Sequence, residues 1–167
     1  MPETLKAISL WQPWASLWLS RHKRHETRHW ATRHRGKLLV HAAKHFERDV
    51  DRDLAELLKD EFGRDWARDL PTGALLGIVD LEDCIATEEL RPVDPERMAD
   101  DAISDLVCGD FGDGRFGWRR GPTFIRFRDP VPYRGYQGLF NVPWADIAEA
   151  MNTVVKIELD ADVELDI

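Results

Sequence analysis

Cysteine and long hydrophobic runs are both scarce in this sequence. Its two cysteines, Cys84 and Cys108, lie far apart without CxxC spacing, which argues against a disulfide framework and a cysteine-rich metal site. No apolar run approaches the length of a membrane span, and the first residues lack the pattern of a secretory signal. We therefore expect a cytoplasmic protein with no membrane association, no cofactor and no bound metal.

Basic residues are fewer than acidic ones, but their proportion differs along the chain. The formal net charge is −8, which argues against non-specific binding to polyanions. Residues 1–48 nevertheless hold ten Lys and Arg against three acids, whereas the remainder holds thirteen against twenty-eight. All six histidines also lie between His22 and His45. We therefore expect any phosphate-binding surface to come from the first third of the chain.

The hydrophobic pattern predicts one α+β domain over residues 1–167. About seven strands with helices between them, and no regular βαβ rhythm, favour a mixed β-barrel over a doubly wound sheet. A helical period predicts a helical insertion at about 45–70. Apolar residues alternate with charged, almost entirely acidic ones near the end, which predicts an acidic strand at about 153–167. Because such a strand can present a free edge, it can pair with a partner protein or with a second copy of the chain, and a homodimer through it is one expectation.

Local patterns predict the individual elements. Strands are expected at LKAISLW, HETRHW, KLLVHAA and ALLGIVDLEDCIA, and a short helix is expected to begin at Pro13. In HETRHW, the side chains of Glu26, Arg28 and Trp30 are expected to share one face. A helix is predicted over 92–105, and three further strands are predicted at TFIRFRD, VPYRG and YQGLFNV.

Several blocks of sequence, in order, resemble the ASCH family of the PUA-like superfamily. They are QPW from Gln12, the Lys-x-x-Glu-x-Arg of Lys23, Glu26 and Arg28, the turn at Arg35, the strand ending in His41, GRFGW around Arg115, and QGLFNV from Gln137. One departure is Arg21, because the family usually has glycine there. The resemblance implies a PUA-like mixed β-barrel with helices flanking a cleft that the Lys-x-x-Glu-x-Arg segment lines. Relatives are associated with RNA or DNA binding, and some similar proteins with hydrolysis of N4-acetylcytidine or cleavage of RNA.

Lys23 and Glu26 are the candidate catalytic residues. A partly buried ammonium can bind phosphate or serve as a base or nucleophile, and a carboxylate beside it can move protons. The structural alternatives are a solvated Lys23 and an internal ion pair between Glu26 and Arg28, which project to the same side of their strand.

The candidate ligand-binding residues combine cations, aromatic rings and amides. Arginine binds phosphate through a fork of donors, and unpaired bases stack on aromatic rings. The alternative for each tryptophan is a place in the core. The candidates are Gln12, Trp14, Arg28, Trp30, Arg33, Arg35, Arg115 and Gln137.

These residues support two functional hypotheses. The first is binding of RNA, single-stranded DNA or a nucleotide, including a modified base, in a basic N-terminal cleft. The alternative is an amidohydrolase acting on N4-acetylcytidine-type nucleosides, or a ribonuclease. The acidic balance beyond residue 48 favours a small substrate over a long nucleic acid. A metal site formed by the clustered histidines is disfavoured, because no cysteine or acidic ligand pattern accompanies them.

Overall fold

The structure is a computed structural model and describes residues 3–90 and 100–158. These ranges contain seven strands and five helices. The strands are β1 (Thr4–Gln12), β2 (His25–Arg28), β3 (Gly36–Phe46), β4 (Ala74–Ala86), β5 (Phe116–Pro132), β6 (Leu139–Pro143) and β7 (Val154–Glu158). The helices are α1 (Trp14–Trp18), α2 (Arg52–Phe62), α3 (Trp66–Asp69), α4 (Thr87–Leu90) and α5 (Asp100–Val107). Short 3-10 turns occur at Trp144–Asp146 and Ala150–Thr153.

The strands form one sheet in the order β2-β5-β4-β3-β1-β6. The long strand β5 pairs with β2 through its first residues and with β7 farther along, while β1 and β3 are parallel neighbours. Within the described ranges no pairing joins β6 to β2 or β7, so the strand pairing does not close the sheet. The predicted α+β class is confirmed, whereas the predicted barrel is not.

Alternating side chains of the central strands fill two hydrophobic clusters. On β3, Leu38 and Val40 pack in one cluster, and Leu39 packs in the other. This explains the apolar run LLV after Lys37, because a strand covered on both faces needs no polar alternation. Each such side chain contributes roughly 1.5–3 kcal/mol when fully buried. On β4, Gly77 has no room for a β-carbon, because the carbonyl of Ile125 on β5 occupies that space.

A third cluster holds the helices against the sheet. Leu54 and Leu58 of α2 lie one turn apart and are both buried there, together with Phe46 from the end of β3. The N-terminus of α2 is capped by Asp51, whose side chain accepts the backbone N–H of Leu54 at 2.8 Å. This helix begins at Arg52, about two helical turns after the start of the predicted insertion at 45–70, because β3 continues through residue 46.

Other predicted elements are confirmed or corrected. The strand ALLGIVDLEDCIA is β4 without a change of bounds, and β1, β2 and β3 lie on their predicted segments. Two corrections concern length: β2 ends at Arg28, so Trp30 is not on it, and TFIRFRD and the start of VPYRG belong to a single strand, β5. The first residues of the helix predicted at 92–105, and residues 159–167 of the predicted acidic strand, lie outside the described residues.

None of the helices in the described ranges is long and apolar enough to cross a membrane. The described part of the acidic strand, β7, pairs with β5 along one edge. A homodimer through this strand stays a prediction.

Candidate functional site

Two open clefts adjoin each other beside β1 and β2. Both are lined by Ser9, Trp11, Arg28 and His29, which form the boundary between them. The first, of about 700 Å³, is lined by four carboxylates, and we call it the acidic cleft. The second, of about 1280 Å³, is lined by cations and aromatic rings and by no carboxylate among the described residues, and we call it the basic cleft. The acidic side chains are Glu26, Asp49, Asp51 and Asp110.

Glu26 lies in the acidic cleft directly above Lys23. The Glu26 side chain is almost buried, whereas Lys23 has no exposed surface at all. The Lys23 Nζ donates to the carbonyl of Cys108 at 2.7 Å and lies 3.5 Å from Glu26 Oε1. The same carboxylate oxygen accepts the backbone N–H of Thr27 at 3.1 Å. The two candidate catalytic residues are therefore paired, but only the carboxylate reaches the cleft.

Arg28 follows two residues later on β2 and lines both clefts. The considered ion pair between Glu26 and Arg28 is absent, because Glu26 pairs with Lys23 instead. The Nε of Arg28 is buried without a hydrogen-bond partner, and no carboxylate of the described residues pairs with its guanidinium. Among the residues that the structure describes, the guanidinium faces the ring of Trp30, whose centroid lies 6.0 Å from Cζ. An arginine with unused donors beside a cleft is suited to bind a ligand oxygen.

Arg115 and the loop before it form one wall of the acidic cleft. The Arg115 Nη2 donates to the carbonyl of Thr27 at 3.0 Å, and its Nε donates to the carbonyl of Asp110 at 3.1 Å. The Thr27 hydroxyl in turn accepts the N–H of Asp110 at 3.0 Å. Arg115 thus lines the cleft as predicted in position, but part of its fork already holds the loop against β2.

Among the other predicted residues, the structure separates those that line a cleft from those that do not. Trp14 lines the acidic cleft, and Trp30 and Gln137 line the basic cleft. Arg33 and Arg35 are exposed and line neither cleft. The guanidinium of Arg35 instead donates to two nearby backbone carbonyls and lies 3.6 Å from a carboxylate oxygen of β4.

Gln12 is completely buried and therefore cannot touch a ligand in either cleft. Its Nε2 donates to Ser16 Oγ at 2.7 Å and to the carbonyl of Pro71 at 2.8 Å, and its Oε1 accepts the N–H of Ser16 at 3.0 Å. The glutamine of the QPW block holds the start of α1 in place.

A buried carboxylate, which the sequence patterns did not single out, fixes the turn that carries Lys23. Asp105 of α5 accepts the backbone N–H groups of Arg24 and His25 at 2.7 and 2.9 Å, and its second oxygen lies 2.6 Å from His25 Nδ1. Burial would raise the pKa of Asp105, but the hydrogen bond and charge of His25 lower it below its usual value. The carboxylate therefore stays ionised and ties α5 to the start of β2.

His41 fixes one wall of the basic cleft. Its Nε2 lies 2.7 Å from the carbonyl of Tyr133, which can only accept, so Nε2 carries the proton. Its Nδ1 then accepts the hydroxyl of Ser9 at 2.8 Å. A β-carbon at Gly135 would come within 2.6 Å of the imidazole, so this wall packs closely against it.

We expect the contribution of His41 to stability to decrease as the pH falls below about 6.5, the ordinary pKa of histidine. Burial lowers the pKa of His41 more than the carbonyl of Tyr133 raises it. The unfolded chain therefore binds a proton at a pH where the folded chain does not, which favours unfolding. Urea unfolding of the native chain and of His41→Asn at pH about 7.5 and about 5.5 tests this. The stability difference between them should shrink at the lower pH, and a constant or growing difference would contradict the assignment.

No group of three or more histidine, cysteine or acidic side chains within residues 3–90 and 100–158 is arranged to hold a metal ion. The clustered histidines have separate partners instead. His22 pairs with Glu61, and the ring of His45 packs 4.1 Å from that of Trp11.

The fold and its clefts define a class of small α+β domain with two adjoining polar clefts beside β1 and β2 of a mixed sheet. The family model of the ASCH domain matches residues 8–156, so the chain belongs to the ASCH domain family. It is similar to activating signal cointegrator 1 of Mus musculus, with 37% identity over 60% of this chain and 18% of that protein. The same protein of Homo sapiens is 38% identical over 53% of this chain and 16% of its own length.

These matches span less than a fifth of the length of the two mammalian relatives. Among solved structures, the chain is similar to a crystal structure of a mutant of ZmASCH from Zymomonas mobilis. The sequences are 12% identical, the alignment covers 90% of this chain and 98% of that one, and the TM-score is 0.49.

Proposed function

We propose that this chain binds RNA or single-stranded DNA, with one unpaired base in the acidic cleft. The observation that supports this most directly is that Glu26 and Arg28 line one cleft together, and that the Nε of Arg28 has no hydrogen-bond partner among the described residues. A carboxylate accepts hydrogen bonds from the exocyclic amine of a base, and a guanidinium binds a phosphate or carbonyl oxygen. The association of ASCH relatives with RNA or DNA agrees with this proposal.

The chemistry of the acidic cleft favours some bases over others. Its four carboxylates are acceptors, so they match cytosine, adenine and guanine, which carry amines, better than uracil or thymine. They also repel phosphates, so the base rather than the backbone belongs in this cleft. Trp14 is half-buried in the wall and offers a ring beside the bound base.

The contacts of Lys23 bear on the hydrolase alternative. Its ammonium is completely buried and already has two acceptors, the carbonyl of Cys108 and the carboxylate of Glu26. Direct attack by Lys23 on an acyl group would require it to leave both. In a hydrolase built on this geometry, Glu26 would be the group that meets the substrate, and Lys23 would position it.

We expect Arg28→Ala to weaken binding of a short single-stranded oligonucleotide by roughly 10-fold or more, because a hydrogen bond to a charged group contributes about 1.5–3 kcal/mol. Glu26→Gln should reduce the preference for cytosine over uracil, since the amide is a weaker acceptor than the carboxylate. Fluorescence anisotropy at low salt with labelled cytosine-, adenine- and uracil-rich oligonucleotides measures both effects.

Arg33→Ala is the matched control, because this exposed arginine lies outside both clefts. Oligonucleotides that fail to bind the native chain even at low salt would refute the proposal. Incubation with N4-acetylcytidine, followed by mass spectrometry, addresses the alternative. Release of acetate by the native chain and not by Glu26→Gln would favour the hydrolase.

A further inference from the structure

The basic cleft adjoins the acidic cleft but has the opposite electrostatic character. Lys44 and Arg134 line it and are exposed, and Arg28 stands at its boundary with the acidic cleft. None of these three cations forms an ion pair within residues 3–90 and 100–158, and no carboxylate of those residues lines the cleft. In a chain with a net charge of −8, three cations without ion pairs that line one cleft favour the approach of an anion there.

Two large exposed aromatic rings line the same cleft. Trp11 and Tyr136 are each 53% exposed, the highest values among the large hydrophobic side chains that the structure describes. Each ring has an aromatic neighbour, because His45 lies 4.1 Å from Trp11 and Phe140 lies 5.4 Å from Tyr136, centroid to centroid. Rings supported in this way and open to solvent are suited to stack on unpaired bases.

The wall that carries Arg134 and Tyr136 is held in position before any ligand arrives. The N–H of Tyr133 donates to the carbonyl of Gly73 at 3.0 Å, and its hydroxyl donates to Asp146 at 2.7 Å. The guanidinium of Arg134 lies 5.4 Å from the centroid of the Tyr136 ring. Together with the contact of Tyr133 to His41, these bonds reduce the ordering that binding must impose on this wall.

We infer that a single-stranded polynucleotide, RNA or DNA, continues from the acidic cleft past Arg28 into the basic cleft. Its phosphates face Arg28, Lys44 and Arg134, and its bases stack on Trp11 and Tyr136. This inference rests on the proposed function and extends it from one nucleotide to a strand. A duplex does not satisfy these contacts, because its bases are stacked on each other and cannot reach the two rings.

The inference predicts that affinity depends on the length of the strand. Binding of cytidine and adenosine monophosphates is compared with binding of RNA and DNA oligonucleotides of about 2 to 8 nucleotides. For the native chain, affinity should rise over the first few nucleotides and then level off. The RNA and DNA series show which sugar the cleft accepts, and a duplex of the same sequence should bind more weakly than either single strand.

Two variants test the cleft itself. The slope of log K against log salt is negative, and the double variant Lys44→Ala with Arg134→Ala should reduce its magnitude by about 1.4, since each phosphate contact on a single strand contributes about 0.7. Tyr136→Ala should weaken oligonucleotide binding by roughly 5- to 150-fold, the equivalent of one stacked base at about 1–3 kcal/mol. Both variants should bind the monophosphates as the native chain does. Lys37→Ala, an exposed lysine outside both clefts, is the control.

The outcomes separate the two proposals. Monophosphates that bind without any gain from added nucleotides, or variants that bind oligonucleotides as tightly as the native chain, would overturn the inference and leave the proposed function intact. Failure of both monophosphates and oligonucleotides to bind would overturn both. Circular dichroism confirms that each variant is folded, and because the three replaced side chains are exposed, their loss should leave the core unchanged.

Discussion

Replacing Arg120 with leucine is expected to lower the free energy of unfolding by about 4 kcal/mol or more. Arg120 is 1% exposed, and its guanidinium donates four hydrogen bonds, all to backbone carbonyls. Leucine can fill much of the space but leaves those carbonyls buried without donors, and each unsatisfied group costs about 1–3 kcal/mol. The acceptors are Trp18, Ser20, Lys23 and Gly121.

Two of these carbonyls, those of Ser20 and Lys23, belong to the segment between α1 and β2 that carries Lys23 into the core, and a third is that of Trp18, the last residue of α1. Burial lowers the pKa of Arg120 to about 10, so the side chain remains protonated at neutral pH and keeps all of its donors. Loss of Arg120 should therefore loosen the segment that supports Glu26, and we expect ligand binding to weaken together with stability.

Urea unfolding of three variants tests this role. The free energy of unfolding of Arg120→Lys should lie between those of the native chain and of Arg120→Leu, because an ammonium cannot reproduce the planar fork of the guanidinium. Arg119→Leu is the matched control, since its nearest carboxylate oxygens are 3.9 Å away and its side chain is partly exposed. The free energy of unfolding of Arg119→Leu should be lower than that of the native chain by less than about 1 kcal/mol. A loss below about 1 kcal/mol for Arg120→Leu would show that its hydrogen bonds are not needed.

Local sequence patterns were sufficient for three strands at the centre of the sheet, but not for its order or closure. Alternation and apolar runs identified β1, β3 and β4, because the side-chain period of a strand is a local property. The two-residue spacing of Glu26 and Arg28 predicts that both project to one side of their strand, and both line the acidic cleft. Family resemblance supplied the remaining step, the choice of this strand as the one that lines a cleft.

Contacts between distant segments were not predictable in the same way. The buried position of Lys23 depends on the carbonyl of Cys108, 85 residues away, and the role of Arg120 depends on carbonyls about 100 residues earlier. A buried cation has no local signal, because charged residues normally lie at the surface. The exposure of Trp11 follows from alternation on β1, where Leu10 and Gln12 are buried on either side of it.

The second large effect on stability is expected from breaking the buried ion pair of Lys23 and Glu26. Lys23→Met is expected to destabilise the chain by about 3–5 kcal/mol, because it leaves an almost buried carboxylate without its cation. The carbonyl of Cys108 also loses its donor. Methionine is close to lysine in length and is apolar, so the change removes the charge and leaves little cavity. Lys37→Met, at an exposed position of β3, should change stability by less than about 0.5 kcal/mol.

A double-mutant cycle with Glu26→Gln isolates the pair from the other contacts of Lys23. If the charges stabilise each other, the stability lost by the double variant Lys23→Met with Glu26→Gln should be smaller than the sum of the losses of the two single variants. The expected difference is about 0.5–3 kcal/mol. The reason is that the double variant buries no unpaired charge, whereas each single variant buries one. Urea unfolding of the four proteins at neutral pH measures this coupling. Strictly additive losses would show that Lys23 acts through the carbonyl of Cys108 alone, and that Glu26 reaches the cleft without help from the ammonium beneath it.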